Sequence, residues 1–129
     1  MKLLADTSTL IWWWTDVVSL SARARDLLSD ADNVIFVSTA SAWEIATKNR
    51  LGKLPQLENP LGNLPQMIAR SGYVTLSISL DHALLAGAMA GEHRDPFDRM
   101  LAAQSIVDAV PLLSSDDKLD QFGCQRIWS

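Results

Sequence analysis

The sequence predicts an α/β fold, with a largely parallel central sheet flanked by helices. Two observations carry this. Apolar runs of strand length alternate along the chain with longer stretches that carry helix caps and helical spacing. The chain also has 129 residues, 48% of them hydrophobic and 20% charged, which suits one domain, residues 1–129, around one core.

The elements follow in order. The first strand is Lys2–Ala5 and ends at Asp6. A short helix or turn follows through Trp12–Trp14. Leu20 and Ser21 open a helix through Arg23, Leu27 and Leu28 that ends near Asp30–Asn33. Val34–Val37 is the second strand. Ser38 caps a helix that runs to about Leu51, with Gly52 as its stop. Lys53–Pro65 holds three prolines and reads as a loop leading into a helix that ends near Gly72. Tyr73–Leu76 is the third strand, and Ser79 caps a helix through Ala90. Asp95-Pro96-Phe97-Asp98 is a strong helix start, with Asp at the N-cap, Pro at N1 and an acid at N3. That helix runs to about Asp108. Pro111–Ser115 is the fourth strand, with Asp116 at its end. A last short helix stops at Gly123, and Arg126–Trp128 forms an edge strand.

Composition narrows the function. No apolar stretch is long enough to span a membrane, and the first residues lack the apolar run of a secretory signal. A single cysteine, Cys124, excludes an internal disulfide and fits a reducing cytoplasm. With one Cys and two His, the donor set for structural zinc is missing, and His82 and His93 read as ordinary helix or loop residues. The formal net charge of -4 argues against sequence-independent binding to a nucleic-acid backbone. Yet 12 of the 15 acids are Asp, a residue suited to caps, turns and metal sites more than to helix surfaces.

Two of these acids directly follow apolar strands, Asp6 after Leu3-Leu4-Ala5 and Asp116 after Leu112-Leu113-Ser114-Ser115. In open α/β sheets ligands bind beyond the carboxyl ends of the strands, so both acids face one crevice. Glu44 lies two turns into the helix after the second strand, among the apolar Trp43, Ile45 and Ala46. Asp95 and Asp98 begin the helix before the fourth strand. If these acids converge, a divalent cation removes their repulsion, which is roughly 4 kcal/mol for two charges about 4 Å apart at an effective dielectric near 20. Oxygen ligation suits Mg²⁺ or Mn²⁺, and such a site activates water against a phosphodiester. Each acid also has a plain structural reading. Asp95 and Asp98 form a capping pair, Asp6 and Asp116 cap the helices after them, and Glu44 pairs with Lys48.

At these residues the sequence resembles a PIN domain, and more narrowly the VapC-type toxins of bacterial toxin–antitoxin pairs. The matching pieces are Leu4–Ser8, Ser41–Lys48, His93–Gln104 and Leu112–Asp116, in order across almost the whole chain. The Trp-Glu-Ile and Asp-Pro-Phe-Asp-Arg blocks together are specific; either alone is weak. The resemblance implies an endoribonuclease dependent on Mg²⁺ or Mn²⁺, with Asp6, Glu44, Asp98 and Asp116 as the acidic quartet and Asp95 at its edge. It also implies a small inhibitory antitoxin and a homodimer. Ser8 stands where many relatives carry His. Ser114 and Ser115 replace a common Thr and basic residue, and Asp117 leaves a choice between itself and Asp116.

The remaining polar residues divide between two roles. Lys48, Arg50 and Lys53 offset a helix C-terminal dipole or, with Arg94 and Arg99, form a phosphate track for RNA. Thr7, Ser8 and Ser114 supply hydroxyls that cap or support the acids. Gln104 has a structural role, Cys124 is inert, and Met67, Met89 and Met100 belong to the core. Trp12, Trp13 and Trp14 cannot all face one core, so at least one reaches a surface groove fit for a partner. The leading function is a toxin endoribonuclease cutting unpaired RNA. The alternatives are a PIN-type RNA-processing nuclease without a toxin role, a binding module with a dead site, and a phospho-receiver. The last needs an acceptor Asp where the second strand ends in Ser38, and a lysine after the fourth strand.

Overall fold

A computed structural model describes residues 1–129. Five strands, β1 (Lys2–Ala5), β2 (Val34–Ser38), β3 (Val74–Leu76), β4 (Leu112–Leu113) and β5 (Arg126–Ile127), form one sheet. Its order is β3-β2-β1-β4-β5. Every neighbouring pair is parallel, so the sheet is wholly rather than largely parallel. From β1 the chain steps outward to β2 and β3, then returns to the other side of β1 for β4 and β5. The order therefore reverses at β1, and the crevice beyond the ends of β1 and β4 is the topological switch point where such sheets place ligands.

Strand alternation sorts the core. Leu3, Ala5, Ile35, Val37 and Leu113 lie on one face with Leu10, Ala24 and Leu28 from α1 (Thr7–Thr15) and α2 (Ala22–Ser29). Leu4 and Leu112 lie on the other, against Leu101 and Ala102 of α6 (Pro96–Asp108). A third cluster joins Ile11 of α1, Ile45 of α3 (Thr39–Arg50) and Leu64 of α4 (Pro60–Arg70). Because neighbouring residues of β1 feed opposite clusters, the register of this strand is fixed on both faces, and so is the position of the residue that ends it.

The structure departs from the sequence reading at several element ends, with β2 reaching Ser38, β3 starting at Val74 and β5 ending at Ile127. α1 is a full helix from Thr7, because the Asp6 side chain accepts the Thr9 N–H and starts it directly after β1. α4 begins at Pro60, not beyond Pro65; Pro60 occupies the first turn, where its missing N–H costs nothing. The helix capped by Ser79, α5 (Leu80–Ala88), stops two residues before Ala90. β4 pairs over Leu112–Leu113 alone, and Ser114 just beyond it turns its hydroxyl to Asp6. The final turn is 3₁₀ (Asp117–Phe122) and stops at Gly123, whose φ of 77° favours glycine.

The three neighbouring tryptophans of α1 are all partly buried against the core. Trp12 packs on Trp128, Trp13 on Tyr73, and Trp14 donates its indole N–H to Ser71 Oγ at 3.0 Å. Trp14 also lines a surface hollow, so the expectation of one ring at a groove fits it alone. The exposed tryptophan is a different one, Trp43, at 63%. Met67 and Met89 pack against core clusters, while Met100 is half-buried. No helix is long and apolar enough to cross a membrane.

Candidate metal centre

Asp6 is held from two elements. Its Oδ1 accepts the Thr9 N–H at 2.9 Å, and its Oδ2 accepts Ser114 Oγ–H at 2.5 Å across the β1–β4 boundary. It is buried, and burial pushes its carboxyl above the ordinary 3.8, further raised by the charge of Asp116, while the Ser114 and Thr9 hydrogen bonds oppose the shift. The Ser114 hydroxyl also accepts the Asp116 N–H at 3.0 Å, so one serine ties together both strand-end acids. Asp116 caps the following turn through the Lys118 N–H, and Asp117 is exposed. Thr7 Oγ donates to Ser41 Oγ at 2.9 Å and joins α1 to α3, whereas Ser8 is exposed.

Glu44 approaches from α3 and is only 4% exposed. Its Oε2 accepts Lys48 Nζ at 2.5 Å, while its Oε1 is buried and has no hydrogen-bond partner. The i,i+4 pairing and the burial foreseen for this acid therefore coexist. The reason given for the burial needs amending, because Trp43 and Ala46 face solvent and only Ile45 faces the core. Burial works to lower the Lys48 pKa, but the Glu44 hydrogen bond and the charges of Glu44, Asp95 and Asp98 outweigh it and raise it.

Asp95 and Asp98 start α6. Asp95 Oδ1 accepts the N–H of Phe97 at 2.9 Å and of Asp98 at 3.3 Å, so Asp95 is the cap. Asp98 is half-buried. Burial raises its carboxyl, as do the charges of Asp95 and Glu44, while a hydrogen bond to His93 at 2.8 Å lowers it. One ligand atom each from His93, Asp98 and Asp116 lie within 4.8 Å of one another. Phe97 and Trp43, each one residue before a site acid, pack edge to face with ring centroids 5.0 Å apart.

Thus Asp98 and Asp116 come together directly, Asp6 joins through Ser114 and its coupling to Asp116, and Glu44 through its charge on Asp98. A divalent cation fits this set. The donors are carboxylate oxygens plus one imidazole, the charges of Asp95 and Glu44 act on Asp98 and that of Asp116 on Asp6, and Glu44 keeps a buried oxygen with no donor. His93, read from the sequence as an ordinary loop residue, also stands in this cluster. Its place in the loop five residues before Asp98 was the available signal.

Of the five basic residues considered for RNA, two are engaged by the protein itself. Arg50, Lys53 and Arg94 are exposed, and Lys48 is tied to Glu44. Arg99 is a correction, because its guanidinium turns inward. Nε donates to Ala86 O, Nη1 to Gly91 O and His93 O, and Nη2 to Met89 O, and the group lies 5.4 Å from the Phe122 ring centroid. A planar cation with its donors so engaged fixes the 89–93 loop instead of meeting phosphate. Gln104 is structural, as read: it accepts Ser38 Oγ–H at 2.6 Å and ties the end of β2 to α6.

Comparison with known proteins agrees with this architecture. The family model described as PIN domain matches residues 3–123. The chain belongs to the PIN domain family. Over 61 residues, 47% of the chain, it is 46% identical to "Ribonuclease VapC16" of Mycobacterium tuberculosis, and the match spans 42% of that protein's length. Among solved structures it resembles a chain of VapBC2 from Rickettsia felis bound to a promoter DNA fragment, with TM-score 0.74, 15% identity and full coverage of both chains. A chain of VapBC-1 from Haemophilus influenzae gives TM-score 0.69 at 17% identity, covering 98% of this PIN domain and 97% of that chain. At these identities the structural likeness speaks for the fold.

Proposed function

We propose that this PIN domain is a metal-dependent endoribonuclease and the toxin of a toxin–antitoxin pair. The observation that carries the chemistry is the gathering of acids at the switch point of a parallel sheet, with a buried Glu44 oxygen left without a donor. Asp6, Glu44, Asp98 and Asp116 would hold Mg²⁺ or Mn²⁺, with Asp95 at the edge. When bound, the cation supplies a Lewis acid that activates water and offsets charge on the phosphate.

The chain's own groups do the rest. Ser114 fixes the Asp6 carboxylate and the Asp116 backbone together. Lys48 neutralises one Glu44 oxygen and leaves the other free. Asp95 caps α6, whose N-terminal dipole favours an anion beside Asp98. The exposed face of Trp43 suits stacking with an unpaired base, which favours single-stranded RNA or loops as substrate. Arg50, Lys53 and Arg94 are the cations left for phosphate.

The toxin role is supported by the similarity to a protein named as a VapC ribonuclease and by the shared fold with VapBC complexes. A groove between α3 and α4, lined by Ala42, Ala46, Leu61, Leu64 and Ile68, with Leu61 92% exposed, suits an apolar segment of an antitoxin. A homodimer and a cytoplasmic site of action belong to the same reading. Purified protein is expected to cleave RNA with Mn²⁺ or Mg²⁺ and to stop when Asp6→Asn or Asp98→Asn is introduced. Full activity in EDTA, or in both variants, would sink it. Expression alone should slow growth, with relief by a small protein encoded alongside; normal growth at high soluble expression would leave a processing nuclease.

A further inference from the structure

We propose that His93 is a nitrogen ligand of the cation site and biases that site toward Mn²⁺ over Mg²⁺. This rests on the cation site proposed above and adds to it a residue outside the acidic quartet. His93 Nε2 stands 2.8 Å from Asp98 Oδ2, and one ligand atom each from His93, Asp98 and Asp116 lie within 4.8 Å of one another. Ligands about 2.1 Å from an octahedral ion lie roughly 3 Å apart when adjacent and about 4 Å apart when opposite. The His93–Asp98 separation is that of two adjacent ligands, so both atoms reach one ion with little movement.

The imidazole is also held in place. The His93 backbone carbonyl accepts Arg99 Nη1–H at 3.1 Å, and the His93 backbone N–H donates to Gln121 Oε1 at 3.3 Å. The ring packs 6.1 Å from Phe122, the same ring that Arg99 covers. The loop is therefore fastened from three sides, with His93 directed at Asp98. Independently, the buried Glu44 oxygen has no donor, and its charge acts on Asp98. A cation at Asp98 answers both observations. Imidazole nitrogen is a borderline donor that Mn²⁺ and later metals accept more readily than Mg²⁺, which prefers oxygen and water.

The chain has two histidines, so a His82→Gln background leaves His93 as the sole imidazole. Pulsed electron paramagnetic resonance of the Mn²⁺-loaded protein then reads any directly bound nitrogen. The expected result is a nitrogen coupling that persists in His82→Gln and vanishes in His93→Gln. Calorimetric titration should show Mn²⁺ affinity falling about tenfold or more in His93→Gln, with Mg²⁺ affinity changing less. Mn²⁺ bound in an Asp98-dependent manner without nitrogen coupling overturns the His93 ligand and leaves the acidic site standing. Mn²⁺ binding that ignores Asp98→Asn overturns the cation site and this inference with it.

Discussion

Helix α6 carries a histidine–aspartate pair at each end, and the two pairs differ in everything but their chemistry. At the C-terminal end His82 Nε2 meets Asp108 Oδ1 at 3.0 Å, with the His82 side chain 4% exposed. His82 also completes a capping box with Ser79, so both ring nitrogens are engaged in holding α5 against α6. At the N-terminal end His93 meets Asp98 at 2.8 Å, with the side chains 18% and 22% exposed. There Asp95, Glu44 and Asp116 crowd the same carboxylate. The first pair closes a seam between helices, while the second opens onto unbalanced negative charge. What gathers around a pair, rather than the pair itself, marks a site.

The sharpest way to break this comparison is to neutralise the aspartate at each end. Asp98→Asn should lower RNA cleavage by at least about a hundredfold, the scale of losing one preorganised electrostatic partner. Asp108→Asn should leave the rate per folded molecule within about twofold, since only His82 is left without its partner. Initial rates at saturating Mn²⁺ decide. Comparable losses in both variants would mean that the second pair has no special standing.

The acids were legible in the sequence because strand ends and helix starts are local signals. Apolar runs locate Asp6 and Asp116, and an Asp-Pro start locates Asp95 and Asp98. That Asp95 caps α6 was legible as well; how Asp6 and Asp98 are held toward one site was not. It depends on Ser114 bridging β1 to β4 and on Arg99 folding the 89–93 loop back, both contacts set by tertiary packing. Arg99 shows the limit well: beside an acidic site an arginine reads as a phosphate contact until the carbonyls of the preceding loop are seen around it. Trp43 shows the reverse, an apolar neighbour of Glu44 that lies in solvent. The fold was more readable than the side-chain roles, because period and caps are written locally and hydrogen-bond partners are not.

The next largest effect belongs to Arg99. Lysine keeps the charge but cannot reach four carbonyls with one planar fork. Arg99→Lys should loosen the 89–93 loop and weaken Mn²⁺ binding by roughly tenfold, the usual cost of losing support behind a metal site. Calorimetric titration checks it, and an unchanged affinity would return Arg99 to the surface role. At the other end, His82→Ala should cost about 1–3 kcal/mol of stability through a lost cap and a buried partner, with cleavage per folded molecule unchanged. Urea unfolding separates this from a catalytic loss.

The smallest effect is the metal-free thermal one, and it runs in the opposite direction. Burial, with the charges of Asp95 and Glu44, raises the folded Asp98 carboxyl above its ordinary 3.8. A carboxyl with a raised folded pKa binds a proton more tightly folded than unfolded, so stability falls as pH rises from the unfolded value through the folded one. In EDTA, Asp98→Asn should therefore melt above the parent protein near neutral pH, and the gain should shrink as pH falls toward 3.8. Saturating Mn²⁺ should reverse the order, because only the parent gains from binding; about 2.7 kcal/mol accrues at a hundredfold excess over Kd. Asp108→Asn removes the carboxylate that His82 uses and should show neither the gain nor the reversal. A parent protein that melts above Asp98→Asn even without metal would mean that the N-terminal pair is built for stability like its counterpart.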